Sequence, residues 1–149
     1  ARARQIGSGV TLVKPLTFMN LSGVAVAEVM RYFRVPIPDL LVVADDAVLP
    51  LGRLRARARG SDGGHHGLGS IADRLGTDQF ARLRVGVGRG DPRRDLADHV
   101  LARFDAEEQP IAEEAIRRAA DAAEVFVTEG IDAVMNRFNA RPDPPDRDA

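Results

Sequence analysis

LLVVADD, residues 40–46, sets five apolar residues directly against two carboxylates. An unbroken apolar run of this kind is expected of a strand covered on both faces, because a half-solvated strand would alternate. Strands so buried belong to sheets layered with helices. Asp45 and Asp46 then stand at the strand end, where open α/β sheets place their ligands. A solvated acidic pair opening a loop is the plainer alternative, and both remain open on the sequence.

Downstream of this strand, Pro50-Leu51-Gly52 makes a turn and RLRARAR, residues 53–59, alternates strictly. On a strand, Arg53, Arg55, Arg57 and Arg59 share one face, with Leu54, Ala56 and Ala58 on the other. Guanidinium groups in such a row suit repeated phosphates, which arginine grips in a bidentate manner. An exposed edge strand guarded by charge has the same pattern. GSDGGHHGLGS, residues 60–70, follows and carries His65 and His66. Its glycines allow either a tight surface turn or close backbone approach to another molecule.

A short helix is expected over residues 68–75, then a second alternating strand over 80–87 and a polar loop over 89–95. The longest helix is expected over 107–128, with Ile111, Ala115, Ala119, Ala122 and Phe126 as its apolar stripe. Gly130 breaks it, residues 131–138 form a last helix, and ARPDPPDRDA reads as a disordered tail. Upstream, VTLVK, residues 10–14, is a strand closed by Pro15. LTFMNLSG, residues 16–23, then leads into a helix with Val26, Val29, Met30 and Phe33 at helical spacing, ended by Pro36 and Pro38. Asn20 suits the N-cap of that helix. Strands alternating with helices make an α/β domain, here residues 1–139, followed by the tail 140–149.

The 149 residues are 44% hydrophobic and 29% charged, as in an ordinary globular domain. No apolar run is long enough for a membrane helix, and the start lacks the apolar core of a secretory signal. With no cysteine, disulfides, thiolate catalysis and thiolate metal sites are excluded, and the cytoplasm is the default compartment. The net charge of −1 hides a division: +1 over residues 1–52, +6 over 53–94 and −8 over 95–149. The central basic block fits a polyanionic partner; an exposed face balanced by acidic neighbours fits it as well.

Several ordered blocks carry a family resemblance: Lys14-Pro15, Thr17-Phe18-Met19-Asn20-Leu21-Ser22-Gly23, Val43-Ala44-Asp45-Asp46 with Leu49-Pro50, and Gly63-Gly64-His65 with Gly67-Leu68. Arg82-Leu83-Arg84-Val85-Gly86-Val87-Gly88 and Met135-Asn136-Arg137-Phe138 complete them. Spanning residues 10–139, they resemble the bacterial peptidyl-tRNA hydrolase family. The resemblance implies a mixed sheet flanked by helices, and hydrolysis of the ester joining a stalled peptide to the terminal ribose of tRNA. Such hydrolysis needs a positioned base, donors for the oxyanion and no metal or other cofactor. By position, Asp45 matches the carboxylate that steadies the catalytic histidine. Phe18 and Asn20 match the peptide-binding pair, while Arg55, Arg57 and Arg84 match basic residues facing tRNA phosphates. The implied partner is peptidyl-tRNA, with the protein a monomer.

Two departures accompany the match. The family opens with a strand, a Gly-Asn-Pro-Gly turn and a helix whose start contains Thr-Arg-His-Asn, which supplies the catalytic histidine. Here nine residues precede Val10 and none match. The expectation is therefore a chain lacking the family's first strand, helix and general base, with little turnover of its own. Second, His66 stands where an asparagine amide would contact the peptide. Imidazole can replace part of that hydrogen bonding, and a substitute-base role beside Asp45 stays open. A non-catalytic RNA-binding relative is the alternative to an enzyme, by analogy with relatives that act in RNA splicing in plastids.

Overall fold

The computed structural model describes residues 2–6, 9–15, 21–88 and 104–139. The described residues within 1–44 and 58–82 form one compact unit, and those within 45–57 and 83–139 form a second. They form two sheets: a two-stranded hairpin of β1 (Arg2–Ile6) and β2 (Val10–Lys14), and a mixed three-stranded sheet of β3 (Leu41–Asp46), β4 (Leu54–Arg57) and β5 (Ala81–Gly86). The strand order in the second sheet is β3-β5-β4. The expected α/β architecture with a mixed sheet is what the chain adopts.

In the first unit β1 and β2 pair antiparallel, with Arg2 opposite Lys14 and Ile6 opposite Val10. Helix α1 (Ser22–Phe33) buries Ala25, Val26 and Met30, and α2 (His66–Leu75) buries Leu68 and Ile71. Val26, Met30, Leu68 and Ile71 meet Ala44 and Phe80 in one apolar cluster. The two helices touch where Gly23 faces Ser70. A Cβ on Gly23 would lie 2.1 Å from the Ser70 carbonyl oxygen, so only glycine fits. The N-cap of α1 is Leu21, whose side chain cannot cap, and the Gly23 N–H donates instead to Ser70 Oγ at 2.8 Å. One orphan donor of α1 is thus satisfied from α2.

The chain turns out of α1 before the prolines expected to end it. Arg34 takes the left-handed conformation, with φ 56° and ψ 47°. Its N–H donates to the Arg31 carbonyl, and the Val35 N–H donates to the Met30 carbonyl at 2.9 Å. This pair of bonds is the Schellman arrangement. Pro36 and Pro38 follow, in and beside a short 3-10 turn at Ile37–Asp39.

In the second unit α3 (Gln109–Glu129) is followed directly by α4 (Ile131–Phe138). The buried stripe of α3 is Ala112, Ala115, Ala119 and Ala122. Ile111, expected in that stripe, is 48% exposed, and Ala112 takes the inward position. Small residues let the helix approach its neighbours closely, whereas α4 contributes the larger, fully buried Val134.

The sheet order corrects two expectations about burial. β5 was expected to alternate, yet Ala81, Arg82 and Leu83 are buried in succession. It is the middle strand, so both of its faces are covered. β3 was expected to be covered throughout, yet Val43 is 52% exposed. Among the described residues β3 lies at the sheet edge, with β5 as its one neighbouring strand.

Candidate functional site

In the first unit, the loop into α2 is held by local bonds. Gly63 and Gly64 adopt φ of 58° and 85°, a left-handed turn closed to most other residues. Asp62 Oδ1 accepts the Gly64 N–H at 2.8 Å, and the Asp62 carbonyl accepts the His65 N–H at 2.9 Å. His65 is the N-cap of α2: its Nδ1 accepts the N–H groups of Gly67 at 3.0 Å and Leu68 at 3.2 Å. An accepting Nδ1 requires the neutral imidazole with its proton on Nε2. His66, the first helical residue, is exposed. The two adjacent histidines therefore have different work. His65 builds the loop, and His66 is presented by it.

In the second unit, Asp45 and Asp46 end β3, as the apolar run ahead of them predicted. Asp46 is the turn-maker. Its Oδ1 accepts the N–H of Val48 at 2.9 Å and of Leu49 at 3.4 Å. Its Oδ2 lies 3.7 Å from the Arg84 guanidinium, and the side chains of Arg84 and Asp46 are 12% and 14% exposed. The Asp46 carbonyl also accepts the Val87 N–H. Asp45, held half-buried, is therefore fixed in the backbone by its neighbour's bonds. Arg84, expected at tRNA phosphates, is turned to Asp46 and largely covered.

β4 alternates as expected: Leu54 and Ala56 are 4% and 0% exposed, while Arg55 and Arg57 are exposed. Arg53 is half-buried, and Arg59 is exposed beyond the strand. A residue that sequence reasoning missed completes this element. The Ala56 N–H donates to Asn139 Oδ1 at 2.6 Å, and Asn139 Nδ2 donates to the Ala56 carbonyl at 2.9 Å. One side-chain amide thus does for Ala56 what a neighbouring strand would do. A partner 83 positions away leaves no local signal.

The remaining expected site residues divide as follows. Phe18 and Asn20 lie outside the described residues, as do the polar loop 89–95 and the tail 140–149. His66 belongs to the first unit and Asp45 to the second. Among the described residues no three His, Asp or Glu side chains group to hold a metal ion, and no helix is long and apolar enough to cross a membrane. Chemically, the second unit offers exposed guanidinium groups on β4 and an acidic strand end, and the first offers an imidazole on a helix start.

Comparison with known proteins gives the family. A family model described as peptidyl-tRNA hydrolase matches residues 1–146. A peptidyl-tRNA hydrolase of Chloroflexus aggregans is 50% identical over 134 residues, covering 89% of this chain and 71% of the relative. One from Chlorobium phaeobacteroides is 45% identical over 141 residues, covering 95% and 75%. The crystal structure of peptidyl-tRNA hydrolase from Acinetobacter baumannii superposes with a TM-score of 0.78 at 30% identity, covering 88% of this chain. The chain spans 66% of the length of that solved protein. On the extent of the family match and the identity to these relatives, the chain belongs to the peptidyl-tRNA hydrolase family.

Proposed function

We propose that this chain serves the hydrolysis of peptidyl-tRNA, supplying the surfaces that grip the substrate. The observation that carries this is the 50% identity over 134 residues to a peptidyl-tRNA hydrolase. In the reaction, a base removes a proton from water and the resulting hydroxide attacks the ester carbonyl carbon. The tetrahedral oxyanion then collapses, and the ribose oxygen leaves with a proton. Asp45 is assigned the carboxylate that orients the base. Phe18, Asn20 and His66 hold the peptide end, and Arg55 and Arg57 meet tRNA phosphates. Arg84, paired with Asp46, acts by stiffening the strand end beside Asp45 more than by touching phosphate.

The arginines exposed on β4 favour a second reading, in which the 149 residues bind the RNA without the cutting that the Thr-Arg-His-Asn motif supports in the family. Both are tested by incubating this chain with N-acetyl-aminoacyl-tRNA and following ester cleavage and binding separately. Salt-sensitive binding is expected, with cleavage on the order of 10²–10⁴-fold below that of a family member carrying the motif, the span contributed by a positioned base. Cleavage at the rate of such a member would instead place a working base among these residues. His66→Ala would then show whether His66 is that base.

A further inference from the structure

Arg82 is 2% exposed, and among the described residues no other charged side chain is counted with the buried core. Its guanidinium is spread over backbone carbonyls of two segments. Nη1 donates to Gly60 at 2.8 Å and Ser61 at 3.1 Å. Nη2 donates to Asp78 at 2.7 Å and Phe80 at 3.1 Å, and Nε donates to Phe80 at 3.2 Å. The cation also lies over the Phe80 ring, 4.4 Å from its centre. A further backbone bond, from the Gly60 N–H to the Asp78 carbonyl at 3.3 Å, joins the same two segments.

Burying a cation is costly and a poor route to stability alone, since an apolar side chain of similar volume would fill the space. What a guanidinium adds is a planar fork of five donors that fixes several acceptors in one geometry. The acceptors at Gly60 and Ser61 are the first residues of the histidine loop. From there the bonding continues through Asp62 to His65, and His65 caps the helix on which His66 stands. We propose that Arg82 is a positioning residue for the peptide-holding loop: by clamping Gly60 and Ser61 to β5, it fixes where His65 and His66 stand. No chemical step is assigned to it. The inference rests on the reading of this loop as the peptide-holding half of the site.

Arg82→Lys in the 149-residue chain tests it, since lysine keeps the charge but cannot span both carbonyl sets. Amide hydrogen exchange of Gly67, Leu68 and Gly69 is expected to speed up about tenfold or more, the effect of losing a buried hydrogen bond. Exchange of Met30 and Ile71 in the apolar cluster is expected to stay within about twofold. Loop amides that keep wild-type exchange in a folded Arg82→Lys variant overturn the proposal. Should the variant not fold, the wild-type protein decides. The clamp requires resolved, slowly exchanging Nη protons coupled through hydrogen bonds to the Gly60 and Ser61 carbonyl carbons, and a rapidly rotating, averaged guanidinium overturns it. Affinity separates the clamp from the functional reading beneath it. Arg82→Lys is expected to weaken binding of N-acetyl-aminoacyl-tRNA about tenfold and leave deacylated tRNA unchanged. A loosened loop with both affinities unchanged would uphold the clamp and defeat the peptide-holding reading.

Discussion

His65 and His66 show how little residue type alone decides. Both are imidazoles in one glycine-rich loop, yet His65 turns Nδ1 onto two helix N–H groups while His66 is left exposed. A helix start leaves four N–H groups without partners, and an N-cap side chain that serves them is worth about 1 kcal/mol. His65→Ala is therefore expected to lower unfolding free energy by about 1 kcal/mol in urea denaturation, with the loss starting at α2. Asparagine is a strong N-cap, so His65→Asn is expected to recover most of that stability. Equal destabilisation by both substitutions would mean that the imidazole contributes by packing and not by its accepting nitrogen. Arg34 gives a second case of chemistry subordinate to backbone. Its left-handed φ of 56° is a conformation that favours glycine, yet the Schellman bonds are complete around it.

Among the elements, β4 draws part of its order from a distant contact. Asn139 lies just past α4 and pairs with both backbone groups of Ala56, a residue with no exposure. Asn139→Ala leaves a buried N–H and C=O without that partner, at a cost of about 1–3 kcal/mol. It also opens a strand edge to pairing with another chain. Both consequences are measurable: a lower urea midpoint, and concentration-dependent association by size-exclusion chromatography. A variant as stable and as dispersed as the parent would show the pairing to be incidental. The same contrast between local and distant causes explains what was legible in the sequence. The pattern of apolar residues located α1, α3, α4 and β2 to β5 to within a few residues, although β3 and β5 bury other faces than that pattern predicts. β1 was missed because Arg-Ala-Arg-Gln-Ile offers only one large apolar residue, and its pairing with β2 supplies the order. Ile111 and Ala112 are both apolar neighbours, so only packing could choose which faces inward. Motif blocks singled out Asp45 and His66, and alternation singled out Arg55 and Arg57, whereas the bonds of Arg82 and Asn139 to backbone atoms far along the chain leave no such pattern.

For the molecule as a whole, the segregation of charge bears on how the proposed RNA binding should respond to salt. The net charge is −1, with +6 over residues 53–94 and −8 over 95–149, so the chain as a whole carries no net attraction for a polyanion and the basic block must supply it locally. At about 0.1 M salt, charges further apart than about 10 Å are largely screened, and attraction is confined to phosphates that touch the basic surface. Each phosphate neutralised adds about 0.9 to the slope of log affinity against log salt for a duplex. Arg55 and Arg57 are exposed on a strand held in place, so Arg55→Ala and Arg57→Ala are each expected to lower that slope for tRNA by about 1. Arg84 should behave otherwise. Its guanidinium faces Asp46 and its side chain is 12% exposed. Arg84→Ala is therefore expected to leave the slope unchanged and to lower stability, because a largely buried carboxylate loses its cation. Titrations of labelled tRNA at several salt concentrations, with each variant's unfolding measured alongside, separate the two kinds of arginine. A slope lowered by Arg84→Ala as much as by Arg55→Ala would make Arg84 a phosphate contact. The Asp46 pair would then have to open when RNA binds, since one guanidinium at that position cannot serve the strand end and the phosphate with the same hydrogen-bonding face.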